Sequence, residues 1–96
     1  MQLEILTPEQ NLFKGEVSHV ELPGTKGAFG VLDNHAPLVS GLEKGEVKFI
    51  ANKIDSEKLN KAFQKDNQKA GQLSLKIQGG FVEVLNNKVS VLLEKI

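Results

Sequence analysis

QLSLKIQGGFVEVLNNKVSVLL, residues 72–93, decides the fold class of this 96-residue chain. Hydrophobic and polar residues alternate across residues 73–77, and Gly79-Gly80 interrupts the pattern. Alternation with a period of two is typical of half-buried β-strands. Two further apolar segments then flank Asn86-Asn87, and asparagine tolerates the left-handed conformation that a two-residue turn requires. The stretch therefore predicts β-strands that include a hairpin.

The same alternation recurs on the N-terminal side, at residues 2–5, 18–22 and 46–51, in short pieces separated by Gly, Pro and Asn. We therefore predict a mainly β protein, a single β-sandwich or flattened barrel over residues 1–96. Residues 52–72 differ, being polar and lysine-rich. Either a long hairpin or a short helix fits them. In the helix, Asp55 or Ser56 would be the N-cap, and the apolar face would consist of Leu59, Ala62 and Phe63.

Composition argues against several classes of function. Twelve basic residues balance twelve acidic ones, so the positive field that attracts nucleic acid is missing. The chain has no cysteine, and two isolated histidines do not supply the three or four ligands of a zinc site. We expect no metal and no nucleic-acid partner. The lysines of residues 53–69 are interleaved with acidic residues, which is typical of a solvated face.

The apolar runs are far shorter than the roughly 20 residues that cross a bilayer. The first residues resemble neither a secretory signal nor a transit peptide. We therefore expect a protein that does not span the membrane and lies in the cytoplasm.

The two histidines, His19 and His35, are the natural candidates for chemistry. His35 follows Asp33 and precedes Ser40, so a Ser-His-Asp set is conceivable, but no nucleophile-elbow motif is present. A small β-sandwich enzyme or ligand-binding module that uses His35 and Ser40 is the alternative function. The simpler interpretation is a turn before a strand, with the imidazole as a polar anchor or an interface contact. His19 falls on an alternating segment, where a solvent-facing position is favoured.

Three glycines at Gly24, Gly27 and Gly30 invite comparison with a dinucleotide-binding turn. That motif has different spacing and leads into a helix, whereas residues 29–32 read as a strand. We expect no cofactor here, and either a backbone surface for protein contact or a structural turn.

Four blocks, in order, give a more specific indication. Residues 7–17 (TPEQNLFKGEV) resemble the opening of the epsilon subunit of F-type ATP synthases. The family's pattern continues through residues 22–40, with LPG, GAFGVL and NHAPLVS, and through GGFVEV and NKVSVL near the end. The blocks cover most of the chain except residues 52–72, and together they are far more diagnostic than any one of them.

This resemblance implies a β-sandwich of about ten short strands and a non-catalytic rotor subunit without a small-molecule substrate. It would link the gamma shaft to the membrane-embedded c-ring, peripherally, on the cytoplasmic side of the bacterial inner membrane. A proton-driven synthase is expected, with a sodium-driven one as an alternative. By position, the resemblance implies a c-ring contact at Gly24, Thr25, Lys26, Gly27, Ala28 and Phe29. It implies a gamma contact at Thr7, His35, Ala36, Pro37, Leu38 and Ser40.

Two departures from the family pattern affect these expectations. Typical members continue into two C-terminal helices that restrain rotation and in some cases bind ATP, whereas this sequence stops at residue 96. We therefore expect one domain without that helical element. Residues 52–72 are also longer than the expected connection.

Overall fold

A computed structural model describes residues 1–52, 61–65 and 71–94. Within these residues the secondary structure consists of strands joined by turns, so the prediction of a mainly β protein is confirmed. The described strands number nine. Their bounds are β1 (Gln2–Leu6), β2 (Asn11–Gly24), β3 (Gly27–Leu32), β4 (Leu38–Leu42), β5 (Gly45–Ala51), β6 (Phe63–Lys65), β7 (Gln72–Ile77), β8 (Gly80–Leu85) and β9 (Lys88–Leu93).

The strands form the two layers of a β-sandwich. The first layer contains the N-terminal half of β2, then β1, β9, β8 and β4; β1 and β9 are parallel and the other pairs antiparallel. The second layer contains β3, the C-terminal half of β2, β5, β7 and β6, all antiparallel. β2 has 14 residues, far from the short strands expected, because it serves both layers. Its register against β5 shifts between Val17 and His19, as at a β-bulge, which bends a strand.

Alternation places one apolar face of each layer in a shared core. Apart from Gly24, every buried residue among those described is hydrophobic. Phe13, Phe49 and Phe63 form an aromatic cluster between the layers, with ring centroids 4.7, 5.7 and 6.1 Å apart. Such tilted and edge-to-face pairs stabilise a core beyond the area they bury.

Phe63 settles part of the question of residues 52–72. It begins β6, which pairs antiparallel with β7, and its ring is buried in the core. The hairpin alternative is therefore supported for residues 63–65, and a helix through Phe63 is wrong, because a buried ring and a β7 partner fix an extended backbone there. The predicted N-caps Asp55 and Ser56, and Leu59, lie outside the described residues.

The predicted hairpin around Asn86-Asn87 is confirmed. Both asparagines have positive φ, 52° and 61°, and the flanking residues pair Leu85 to Lys88. At the start of β8, Gly80 has φ 157°, and a Cβ there would lie 2.3 Å from the carbonyl oxygen of Leu92. Only glycine fits this close approach of two strands.

Candidate interaction surfaces

The outer face of the first layer exposes a group of large hydrophobic side chains. In the register of β4, β8, β9 and β1, Gly41, Phe81, Leu92 and Leu6 lie side by side. Val39 lies on the same face, with 72% of its surface exposed, against 61% for Phe81 and 49% for Leu92. We call Val39, Phe81 and Leu92 the apolar patch. Contiguous exposed apolar surface on a small domain marks a place of contact with another molecule.

Polar residues border the apolar patch. In the next row across the strands, Val39 is followed by Glu83, Ser90 and Glu4, so the patch gives way to polar residues beyond β4. Lys88 Nζ lies 3.2 Å from a Glu4 carboxylate oxygen. An apolar centre with a charged rim is the usual organisation of a protein interface. Lys88 is 49% exposed and Glu4 only 16%, so this ion pair lies partly covered at the border of the patch.

Two residues of the expected gamma contact point inward. Leu38 and Ser40 pair with Val84 and Val82, whose side chains are buried, and Leu38 packs against the core. The outward position belongs to Val39, between them. The physical reason is the two-residue period of a strand, which the run Leu38-Val39-Ser40 leaves ambiguous because two of its members are apolar.

The other four residues of that contact lie at two ends of the first layer. Thr7 directly follows Leu6, which pairs with Leu92. The Thr7 hydroxyl accepts a hydrogen bond from the backbone N–H of Gln10 at 3.2 Å. His35, Ala36 and Pro37 are exposed and precede β4, at the end where β8 turns into β9. There the Asn34 N–H donates to Asn87 Oδ1 at 2.8 Å. The apolar patch lies between these two ends.

His35 and Ser40 are not brought together. His35 Nδ1 lies 2.7 Å from the carbonyl oxygen of Ala36, and the Ser40 hydroxyl donates to the carbonyl of Gly41 at 3.0 Å. Asp33 instead accepts from the Met1 ammonium, at 2.6 Å. The geometry therefore gives no support to the Ser-His-Asp alternative, in which these side chains would have to bond one another.

The Met1 ammonium forms the principal polar cluster of the described residues. It donates to Asp33 Oδ1, to the carbonyl of Val17 at 3.2 Å and to Glu16 Oε2 at 3.4 Å. The hydrogen bond to Asp33 raises the pKa of the ammonium, against the effect of burial, and the Glu16 carboxylate adds to the rise. The same hydrogen bond lowers the pKa of Asp33. The cluster fastens the start of β1 to the end of β3.

The expected c-ring contact lies at the turn between β2 and β3. Thr25 and Lys26 form its tip, and Gly27 has φ 122°. Gly24 is buried beneath the Phe29 ring and has no room for a side chain, since a Cβ there would lie 2.7 Å from that ring. Thr25, Lys26, Gly27 and Ala28 are exposed, whereas Phe29 packs against the core. Gly24 and Phe29 therefore hold the turn, and the other four residues form its surface.

Within the described residues, no three His, Cys, Asp or Glu side chains are grouped as metal ligands would be. None of these residues forms a helix long and apolar enough to cross a membrane.

These features define the class: a small all-β sandwich domain with an exposed apolar outer face. The family model of the ATP synthase, Delta/Epsilon chain, beta-sandwich domain matches residues 1–96, and the chain belongs to this family. The family predicted from the four sequence blocks is thereby confirmed.

Curated relatives agree with this family. The ATP synthase epsilon chain of Leptospira borgpetersenii serovar Hardjo-bovis (strain JB197) is 36% identical over 96% of this chain and 59% of its own. That of Chlorobium limicola is also 36% identical, over 99% of this chain and 90% of its own. The chain thus spans less than two thirds of the Leptospira relative.

Two solved structures share the fold. One is the Tetrahymena thermophila mitochondrial ATP synthase, central stalk and c-ring, with a TM-score of 0.67 and 14% identity over 98% of this chain and 63% of that one. The other is the Euglena gracilis mitochondrial ATP synthase, OSCP/F1/c-ring, with a TM-score of 0.72 and 20% identity over 97% of this chain and 49% of that one. At these identities the likeness concerns the fold alone.

Proposed function

We propose that this chain is a non-catalytic central-stalk subunit of an F-type ATP synthase, linking the gamma shaft to the c-ring during proton-driven ATP synthesis. Its place is peripheral, on the cytoplasmic side of a bacterial membrane. The family match and the relatives named ATP synthase epsilon chain support this role. The observation that carries it in the structure is the apolar patch, because a rotor part must hold its neighbour through buried apolar contact.

Gamma occupies the apolar patch in this proposal. Thr7 at one end of the first layer and His35, Ala36 and Pro37 at the other frame the contact. Leu38 and Ser40 act from beneath, by holding β4 against the core so that Val39 faces outward. Phe81 supplies the central anchor, since large aromatic side chains contribute most to interface energies.

The turn between β2 and β3 meets the c-ring in this proposal. Its exposed tip is short and held on both sides, by the Phe29 ring over Gly24 and by the hydrogen bond from Thr25 N–H to the Gly41 carbonyl at 3.1 Å. Because the conformation of the turn is already fixed, little conformational entropy is lost when it binds. A stiff turn is also suited to transmitting torque.

Binding to the cognate gamma subunit tests the proposal. Phe81→Asp should weaken binding by about tenfold or more, the loss expected on removing an interface anchor. Leu32→Asp is the matched control, since Leu32 is 62% exposed but lies on β3, in the second layer. Both variants should keep the melting temperature of the wild type. Failure of the folded wild type to bind a competent gamma subunit would overturn the proposal, and equal loss in both variants would remove gamma from the apolar patch.

A further inference from the structure

β3 has one unpaired edge. It pairs with β2 in a register that places Ala28 opposite Pro23 and Gly30 opposite Glu21. Proline has no N–H, so Ala28 and Pro23 form a non-hydrogen-bonded pair, and the alternation of an antiparallel ladder makes Gly30 and Glu21 another. The N–H and C=O groups of Ala28 and Gly30 therefore point away from β2. Within the described residues these four groups have no hydrogen-bond partner.

This edge carries none of the usual features that prevent a foreign strand from adding to it. β3 reads GAFGVL, without a charged residue or a proline. Among the described residues, the opposite edge of the second layer is β6, which includes the charged residue Lys65. Natural proteins shorten or charge an exposed edge unless something covers it. The difference between the two edges indicates that β3 is covered in the working assembly.

A cleft beside the edge indicates what covers it. The cleft has a volume of about 340 Å³ and is lined by His19, Glu21, Ala28, Phe29 and Gly30. It is open because Gly30 has no side chain; a Cβ there would lie 3.1 Å from His19 Nε2.

Glu21 supplies the charge of this cleft. Its carboxylate is 55% exposed and lies 4.0 Å from His19 Nε2. Lys48 is opposite Glu21 on β5, but no lysine nitrogen of the described residues lies within 4.0 Å of that carboxylate. A basic side chain from a partner is therefore the complementary occupant of the cleft.

We propose that the free edge of β3 binds an extended segment of a c-ring loop, which adds to the second layer as a strand. The segment exchanges backbone hydrogen bonds with Ala28 and Gly30 and places a lysine or arginine side chain in the cleft beside Glu21. Strand addition takes its affinity from main-chain hydrogen bonds and its specificity from pockets for alternate side chains. The c-ring is the partner because β3 begins at the turn assigned to it, so this inference rests on the proposed function.

Hydrogen exchange of single amides tests the pairing. The free chain and the chain bound to purified c-ring are incubated in D₂O, quenched and transferred to an aprotic solvent for NMR. The amides of Ala28 and Gly30 should exchange rapidly in the free chain and about 100-fold more slowly in the complex, as expected for amides that enter a ladder. The amide of Phe29, on the β2 side of β3, is the internal control and should be protected in both.

Two variants test the same contact by affinity. Ala28→Pro removes one outward N–H. Because the Ala28 N–H takes no part in the β2–β3 ladder, the substitution should not lower the melting temperature. Binding to the c-ring should fall by at least about tenfold. Ala28→Ser retains the N–H and should bind like the wild type. Glu21→Gln should weaken binding and reduce its dependence on salt.

The outcomes separate the two proposals. A c-ring complex in which Ala28 and Gly30 exchange as fast as in the free chain overturns strand addition and leaves the proposed function standing. Failure of the folded wild type to bind c-ring overturns both. If Ala28→Pro does not fold, the exchange measurement on the wild type decides.

Discussion

Single residues with special backbone requirements fix where the strands of this domain meet. Gly80 permits β8 to approach the Leu92 carbonyl, Gly24 makes room for the Phe29 ring, and the two asparagines close the β8–β9 turn. In each case the requirement comes from a contact or a left-handed backbone that a larger or β-branched side chain resists.

Gly80→Ala should be strongly destabilising. Its Cβ would lie 2.3 Å from the Leu92 carbonyl oxygen, with φ at 157°, so backbone must move; we expect a loss of about 2 kcal/mol or more in the free energy of unfolding. Urea denaturation measures it. Gly15→Ala is the control, since its Cβ meets only the end of the Phe13 ring, at 3.3 Å. Similar stability of the two variants would contradict the assignment.

Asp33→Asn should change how stability depends on pH. The ammonium of Met1 has a raised pKa, so its contribution is complete below its ordinary value of 8.0 and is lost as pH rises through the folded pKa. Asp33 has a lowered pKa, so its contribution is present above 3.8 and is lost as pH falls through the folded value. The wild type should therefore lose stability at both limits.

The measurement is thermal melting of wild type and Asp33→Asn across that range at low salt. The variant should show the smaller change at each limit. The effect should shrink at high salt, because Asp33 is exposed. Parallel profiles for the two proteins would show that the ion pair contributes nothing to folding.

At the scale of the strand, β4 determines which surface is offered to a partner. Its residues alternate between the core and the outer face, so a one-residue error in register exchanges Leu38 for Val39. The sequence motif around residues 34–40 located this strand correctly. It did not show which residues face the core, because Leu38 and Val39 are both apolar.

A pair of substitutions tests that orientation. Leu38→Asp should lower the free energy of unfolding by about 2–3 kcal/mol, because it places a charge against the core. Val39→Asp should change it by less than about 1 kcal/mol and should instead weaken gamma binding. Chemical denaturation and a gamma-binding assay distinguish them. A greater loss of stability in Val39→Asp would mean that the register of β4 is wrong.

At the scale of the whole molecule, the two layers present different surfaces. The apolar patch belongs to the first layer, and the free edge of β3 with its cleft belongs to the second. The two surfaces approach each other where the Thr25 N–H donates to the carbonyl of Gly41, the β4 neighbour of Phe81. Ala28 and Phe81 belong to different layers and pair with different strands, and substitutions without shared partners usually act independently. One small sandwich can thus hold two neighbours at once.

Independence of the two surfaces can be measured with Phe81→Asp, Ala28→Pro and the double variant. Phe81→Asp should weaken gamma binding alone, Ala28→Pro should weaken c-ring binding alone, and the double variant should show both losses with their free energies adding within about 0.5 kcal/mol. Loss of both partners in either single variant would show instead that the surfaces are coupled.

The fold class, the β8–β9 hairpin and the family could all be predicted from the sequence. Alternation and the Asn86-Asn87 turn are local signals, because side-chain period and left-handed backbone depend on near neighbours in the chain. The four sequence blocks then indicated the family, which the family model confirmed.

Three features could be established only from the folded structure: the division of β2 between two layers, the strand at Phe63 and the outward position of Val39. Tertiary pairing also keeps His35 and Ser40 apart and leaves one edge of β3 without a partner strand among the described residues. These features depend on pairing between residues distant in the chain. Local propensity cannot fix them, because the same alternating strand can turn either face to a core until its partner strands set the register.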